Sequence, residues 1–304
     1  MEFLALFVSL PTRQSAGRMR IWRALRALGC ATLRDGVYLL PDSSEHAAAL
    51  AQIADEVRTV QGTADLYRLG GRDEAQQAGI VALFDRGPDY ARLLEAIRAA
   101  RATVNPKSVH ALRREFKAIA AADYFPGEAQ KQTEAALAEL AAVAGGEPHA
   151  VDQEIRRLAS ADYSGRTWAT RKNLWIDRMA SAWLIRRFID RKAKFLWLDT
   201  PKKCPKWALG FDFDGAAFSH VGGRVTFEVL AASFVVDSDP ALARIAAIVH
   251  CLDVGGVPVA EAAGIEAVLG GLRAGAPDDD KMLAAASRVF DGLYRNFQQE
   301  NSHD

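Results

Sequence analysis

TWATRKNLWIDRMASAWLIRRFID, Thr167 to Asp190, sets charged residues inside an apolar run. From Ile176 onward the apolar positions recur at helical spacing, which predicts a core helix from about Ile176 to Asp190. At about 100° per residue, Asp177 shares a face with Leu184 and Phe188. A carboxylate that begins a buried stripe needs a partner. Backbone donors at a helix N-terminus supply one kind, and the cations of Arg171 or Arg178 supply another. The expected role of Asp177 is therefore structural: it orders its own helix start and holds an arginine. Arg171, Lys172 and Arg178 gather at the same place. Amides and guanidinium groups there suit a tetrahedral oxyanion of the sulfate kind. A solvated basic loop is the competing reading.

Downstream, KFLWLD predicts a strand and AAFSHVGGRVT a hairpin around Gly222-Gly223. Helices are expected over FEVLAASFV, PALARIAAIVHCLDV, the segment near AGIEAVLGGLRA, and DDKMLAAASRVFDGLYRNF. Upstream, AGGEPHAVDQEIRRLASADYSGR carries a shift toward polar residues, Gly and Pro, with VDQEIRRLA as a possible short helix inside it. The expected division is a domain over 1–146, a linker over 147–166 and a second domain over 167–304.

The N-terminal part reads as β-α-β-α-β. FLALFVSL is a buried strand ending at Pro11, and SAGRMRIWRALRAL is an amphipathic helix stopped by Gly29. ATLRDGVYLLP reads as one strand. Asp42 or Ser43 caps the next helix, which places Ala49, Ile53 and Val57 on a stripe, and ADLYRL closes the set. That order predicts a ferredoxin-like α/β unit, with the helical segments of residues 73–143 appended to it. The fold class is thus α/β of the α+β kind and helix-rich, the second domain being mostly helical with a small sheet.

With 304 residues, 38 basic and 38 acidic, the chain has no net charge to argue for a polyanion partner. Local charge says more. Residues 1–40 hold Arg13, Arg18, Arg20, Arg23, Arg26 and Arg34 against Glu2 and Asp35. On the first helix Ile21, Leu25 and Leu28 form one arc, Arg20, Arg23 and Arg26 lie opposite, and Arg18 is nearby. An all-arginine face matches phosphate oxygens, although a solvated basic face reads the same way. No helix-turn-helix pattern offers base readout. The cysteines Cys30, Cys204 and Cys251 have no paired spacing, and the N-terminal apolar run lacks a basic flank and is too short for a bilayer. A cytoplasmic protein that does not engage a membrane is expected.

Imidazole and carboxylate groups collect in the C-terminal half. His220 ends the first arm of the expected hairpin, Thr226 reads as a helix cap that puts Glu228 in the first turn, and His250 and Asp253 share a helix face. Together His220, Glu228, His250 and Asp253 suit a divalent ion such as zinc, iron, manganese or nickel. Each also has a structural reading, as a dipole partner or a turn residue.

Several blocks then point to one family. TWATRKNLWIDRMASAWLIRRFID, AKFLWL, FSHVGGRVTFE and IAAIVHCLD follow one another as in the C-terminal domain of the chromate-resistance regulator family ChrB, which this chain resembles over nearly its whole length. SLPTRQSAGRMRIWRALRALGCATLRDGVYLLP is similar to the N-terminal domain of that family and to a ferredoxin-like segment of PaaX-type repressors. The resemblance implies a bacterial chromate-responsive regulator of efflux genes. Its implied partners are promoter DNA and chromate, a sulfate-like dianion, and a homodimer is one way to relay the response. It adds weight to Asp177, His220, Glu228 and Asp253 as metal-site residues and less to His250; Lys281 stands where a histidine is expected, which excludes that position as a ligand. PaaX-type repressors place a winged helix before the ferredoxin-like part, whereas this sequence starts at the strand, so the DNA contact is expected from the basic helix. The alternative is a metal-dependent enzyme of chromate or oxidative-stress detoxification.

Overall fold

FLALFV becomes β1 (Phe3–Ser9), and Phe3, Leu4, Ala5 and Leu6 are all buried. Both faces of the strand are covered, which is why it reads as a continuous apolar run and not as an alternation. After it come α1 (Ser15–Ala27), β2 (Ala31–Arg34), β3 (Val37–Pro41), α2 (Ser44–Thr59) and β4 (Thr63–Leu69). The sheet order is β2-β3-β1-β4, with every neighbouring pair antiparallel. This βαββαβ arrangement is the expected ferredoxin-like unit. The structure is a computed structural model and describes residues 1–11, 15–103, 105–145 and 155–300.

One expectation fails here. ATLRDGVYLLP is two strands, because Asp35-Gly36 makes a two-residue hairpin between β2 and β3. Gly36 has φ +75°, and a Cβ on it would lie 2.5 Å from the Val8 carbonyl oxygen. Its own carbonyl accepts from Val8 N–H at 2.7 Å. A Gly after Asp supplies the left-handed backbone that tight hairpins need. The unbroken β propensity on either side hid the break.

Helix α2 is capped by Ser43, whose Oγ accepts from His46 N–H at 3.1 Å. Its buried residues are Leu50, Ile53, Ala54 and Val57, and Ala49 is only half-buried. Helices α3 (Glu74–Ala82), α4 (Gly87–Ala100), α5 (Pro106–Ala121) and α6 (Glu128–Gly145) follow. Phe84 stacks on Phe3 with ring centroids 5.7 Å apart, so the segment after α3 closes one end of the sheet. Arg86 donates to the carbonyls of Gly29 (2.9 Å) and Ala122 (3.2 Å), tying the end of α1 to the end of α5.

The chain divides into units Met1–Gln130 and Lys131–Asp304, each with its own apolar cluster. The division falls in the first turn of α6, ahead of the 147–166 segment. Residues 147–154 of that segment lie outside the described residues, as do residue 146 and Arg13. Ile155–Ala159, the part of the possible helix VDQEIRRLA that is described, forms no regular element.

The second unit holds β5 (Thr167–Arg171), α7 (Ile176–Leu184), β6 (Lys194–Leu198), β7 (Leu209–Gly210), α8 (Thr226–Ser233), α9 (Pro240–Asp253), α10 (Ala262–Gly275) and α11 (Asp279–Glu300). Its small sheet is parallel, in the order β6-β5-β7. The opening stretch of sequence is therefore strand, turn and helix, the first half of a βαβ crossover. The helix from Ile176 continues past Leu184 as a π-helical turn, Ile185–Ile189. At its end the buried Asp190 accepts from the amides of Gly165 (2.8 Å), Arg166 (2.9 Å) and Lys192 (3.0 Å) and from Trp168 Nε1 (3.3 Å). That carboxylate fastens the helix end to the start of β5. Gly222-Gly223 is a tight turn, closed by two hydrogen bonds between Val221 and Arg224, and not a hairpin with strand arms. No helix among the described residues is long and apolar enough to cross a membrane.

Candidate functional site

Parallel strands end together, and loops at their carboxyl ends are where α/β sheets bind ligands. Here those ends carry Arg171 on β5, Asp199 just after β6 and Asp212 two residues after β7. Into the same region come Asp177 from α7, His220 from the turn before α8, and Asp253 from the last turn of α9.

Asp177 is 1% exposed and binds the start of a different helix from its own. Its Oδ2 accepts from Thr226 N–H and its Oδ1 from Phe227 N–H, both at 2.9 Å. Ser181 Oγ adds a third donor at 3.2 Å. Val225 precedes α8 and has no polar side chain, so Asp177 supplies the cap from across the core. Two expectations are corrected: Thr226 is not the cap but the first helical residue, and Asp177 caps α8, not α7, with no arginine among its hydrogen-bond partners in the described residues. Three or four residues of local sequence cannot reveal a cap donated from 49 positions away.

His220 Nε2 sits 3.2 Å from Asp177 Oδ2, 3.6 Å from Asp212 Oδ1 and 3.6 Å from Asp253 Oδ2. Hydrogen bonds to Asp177 and then Asp212 push the imidazole up to about 10, against the opposing effect of burial. Burial holds Asp177 above the usual carboxylate range. Burial and then the nearby charges of Asp177 and Asp212 push Asp253 up to about 6. Three carboxylates on one nitrogen demand a positive charge at that point. Asp177, Asp212 and His220 offer ligand atoms all within 4.8 Å of one another, so this group could hold a metal ion.

The metal set read from sequence is thus redrawn. His220 and Asp253 meet. Glu228 instead accepts from Val225 N–H at 3.0 Å and pairs with His250 Nδ1 at 2.9 Å. The other nitrogen of the buried His250, Nε2, has no hydrogen-bond partner among the described residues. Asp212 was missed, because FDFD in a loop carries no periodicity to mark it. Thr226 Oγ1 donates to Asp212 Oδ1 at 3.3 Å, which joins it to the same helix start.

The three cations expected to hold an oxyanion do gather, and each has a carboxylate partner. Arg178 Nε lies 3.2 Å from Asp212 Oδ2, and Arg171 lies 3.6 Å from the same oxygen. Arg178 also donates to the carbonyls of Lys172 (3.0 Å) and Arg171 (3.3 Å). Lys172 pairs with Asp199 at 2.8 Å, and Lys203 with the same carboxylate at 2.7 Å. These two lysines push Asp199 down to about 2. The amides of Asn173 and Leu174 donate to Asp279, both at 2.9 Å.

In the first unit Ile21 and Leu25 are buried, while Arg18, Arg20, Arg23 and Arg26 are exposed on α1. Arg20 reaches Glu56 at 3.3 Å, Arg18 donates to the Leu10 carbonyl at 3.4 Å, and Arg26 lies over the exposed Trp22 ring at 5.2 Å. Arg34 is exposed at the end of β2. Trp22 is exposed beside these arginines and adds an aromatic face to that surface.

Residues 18–154 match the family described as Protein ChrB, N-terminal, and residues 168–297 match ChrB, C-terminal domain. The chain is 46% identical to Protein ChrB of Cupriavidus metallidurans over 307 residues, an alignment that covers 97% of this chain and 95% of that protein. No solved structure matches. The order of blocks, the two-unit fold and these matches agree, and the chain belongs to the ChrB family, which is associated with chromate resistance.

Proposed function

We propose that the chain is a chromate-responsive regulator of chromate-resistance genes. In this reading α1 contacts promoter DNA, and the carboxyl edge of the parallel sheet is the effector site. The observation that carries the DNA contact is the arginine side of α1, exposed opposite Ile21 and Leu25 and interleaved with Trp22. Guanidinium groups on an exposed helix bind phosphates without reading sequence, and their contribution falls with salt. Chromate, as a dianion, competes with the carboxylates for Arg171, Lys172 and Arg178. Displacing Asp212 from Arg178 alters the hydrogen bond from Thr226 and so the start of α8, which gives the effector a structural consequence.

The test is a mobility-shift titration on DNA upstream of the gene, at two salt concentrations, with and without chromate. A specific shift that chromate releases is expected. In R20A/R23A/R26A the salt slope should flatten by about 0.9 for each phosphate that the variant no longer neutralises. An unchanged affinity and slope in that variant rejects α1 as the DNA surface.

A second reading is a metal-dependent enzyme of detoxification, and one observation favours it. The His220 side chain is 42% exposed, so its carboxylate cluster opens to solvent at the edge where α/β enzymes place their chemistry. Turnover lost on chelation and restored by metal, without any specific DNA shift, would select this reading over the regulator.

A further inference from the structure

We propose that Asp177, Asp212 and His220 form a binding site for a divalent transition metal, with Asp253 as its fourth side. This deepens the reading of the C-terminal cluster as the effector site and holds whether that site senses or catalyses.

The donor set is one imidazole nitrogen and several carboxylate oxygens, which suits zinc, manganese, iron(II) or nickel and falls short of the all-oxygen shell of calcium. Bonds to such ions run about 2.0–2.2 Å, so opposite ligands stand roughly 4.2 Å apart. The three ligand atoms already lie within 4.8 Å of one another, and the Asp253 oxygen is 3.6 Å from the same Nε2. A modest closing of these side chains brings their ligand atoms onto one ion.

The four side chains also arrive from separate elements, each of the two best-placed carboxylates held from behind. Asp177 is fixed by the amides of Thr226 and Phe227 and by Ser181. Asp212 is oriented by Thr226 Oγ1 and Arg178 Nε. Outer-shell hydrogen bonds of this kind hold metal ligands in position and tune them. Thr226 serves both carboxylates, through its amide and its hydroxyl, so one residue sets their spacing. The exposed side of His220 is the access route for the ion.

The experiment uses the full chain, treated with chelator and then titrated with Co²⁺ as a visible-absorption probe and with Zn²⁺ in competition. One equivalent of Co²⁺ with ligand-field bands, displaced by Zn²⁺, is expected. H220A and Asp212→Asn should each weaken binding by about 100-fold or more, since even outer-shell losses cost 10–100-fold. Asp253→Asn serves as a third variant that does not touch the α8 cap, and it should weaken binding about tenfold or more. Glu228→Gln should bind Co²⁺ like the parent. The proposal is overturned if the parent takes up no stoichiometric Co²⁺. It is equally overturned if Glu228→Gln abolishes uptake while folded H220A and Asp212→Asn retain it. No DNA is present in these titrations, so a failure of the regulator reading and a failure of the metal site are separate results.

Discussion

Asp177 is the residue on which the second unit turns. Two backbone donors of α8 end on its carboxylate inside the core, and removing it leaves both unsatisfied. Asp177→Ala should destabilise the second unit by about 3–5 kcal/mol, the range for breaking a buried charge pair. Ser181→Ala removes one neutral donor and should cost about 1 kcal/mol. Denaturant unfolding of both variants checks the ranking, and equal losses would deny Asp177 its capping role. The pH dependence has a definite sign. His220 is raised to about 10, so the stability its charged form contributes is complete below its ordinary value and lost as pH rises through about 10. Asp253 is raised from 3.8 to about 6, so its ionisation is disfavoured in the folded state, and that penalty lifts progressively as pH falls from about 6 and is gone below about 3.8. This cluster should therefore add stability as pH falls from 7 to 5 and lose it progressively as pH rises from about 6.5 to about 10. Thermal melts should show the gain between pH 7 and 5 in the parent and not in Asp253→Asn. A gain that survives the substitution would place its origin elsewhere.

At the scale of elements, the hairpin between β2 and β3 makes the sharpest stability claim. Gly36 needs a positive φ and has the Val8 carbonyl where a side chain would start. Backbone cannot give way as a flexible side chain can. Gly36→Ala should cost about 2 kcal/mol or more, combining the left-handed penalty with the clash. Gly79→Ala in α3, where nothing approaches the Cβ position, should be neutral or slightly stabilising by helix propensity. The same region shows what the sequence can and cannot reveal. A continuous apolar run marked β1, which is covered on both faces, and apolar spacing marked α1, α2 and β4, which each bury one face. The apolar pattern passed over the Asp35-Gly36 break, because the flanking residues are uniformly strand-forming. It also passed over β5, five residues whose polar positions gave no alternation until β6 and β7 were seen to flank it. The site divides in the same way. His220 and Asp253 were found by residue type, whereas Asp212 and the capping role of Asp177 depend on contacts between distant positions. The pairing of Glu228 with His250 is likewise tertiary.

For the whole molecule, the two apolar clusters have separate memberships. One is built from β1, α1, α2 and the aromatic residues around Phe84, and the other from Trp168, α7, α8, α9 and α11. A domain with its own core unfolds as its own cooperative unit. Calorimetry of the full chain should resolve two transitions. Ile21→Ala opens a cavity beside Leu25 and should lower only the transition of the first unit, by about 2–5 kcal/mol in stability. Asp177→Ala should lower only the other, by roughly 6–20 °C for a unit of this size. Metal adds a third arm. An ion that binds only the folded second unit stabilises it by about 2.7 kcal/mol at 100 times its dissociation constant, so Zn²⁺ should raise that transition and leave the first in place. In Asp212→Asn the Zn²⁺ shift should vanish while both transitions remain. If Ile21→Ala and Asp177→Ala instead move one common transition, the cores do not unfold independently. Any effector at the carboxyl edge of the parallel sheet would then act on α1 through global stability, and no dedicated coupling between the units would be needed.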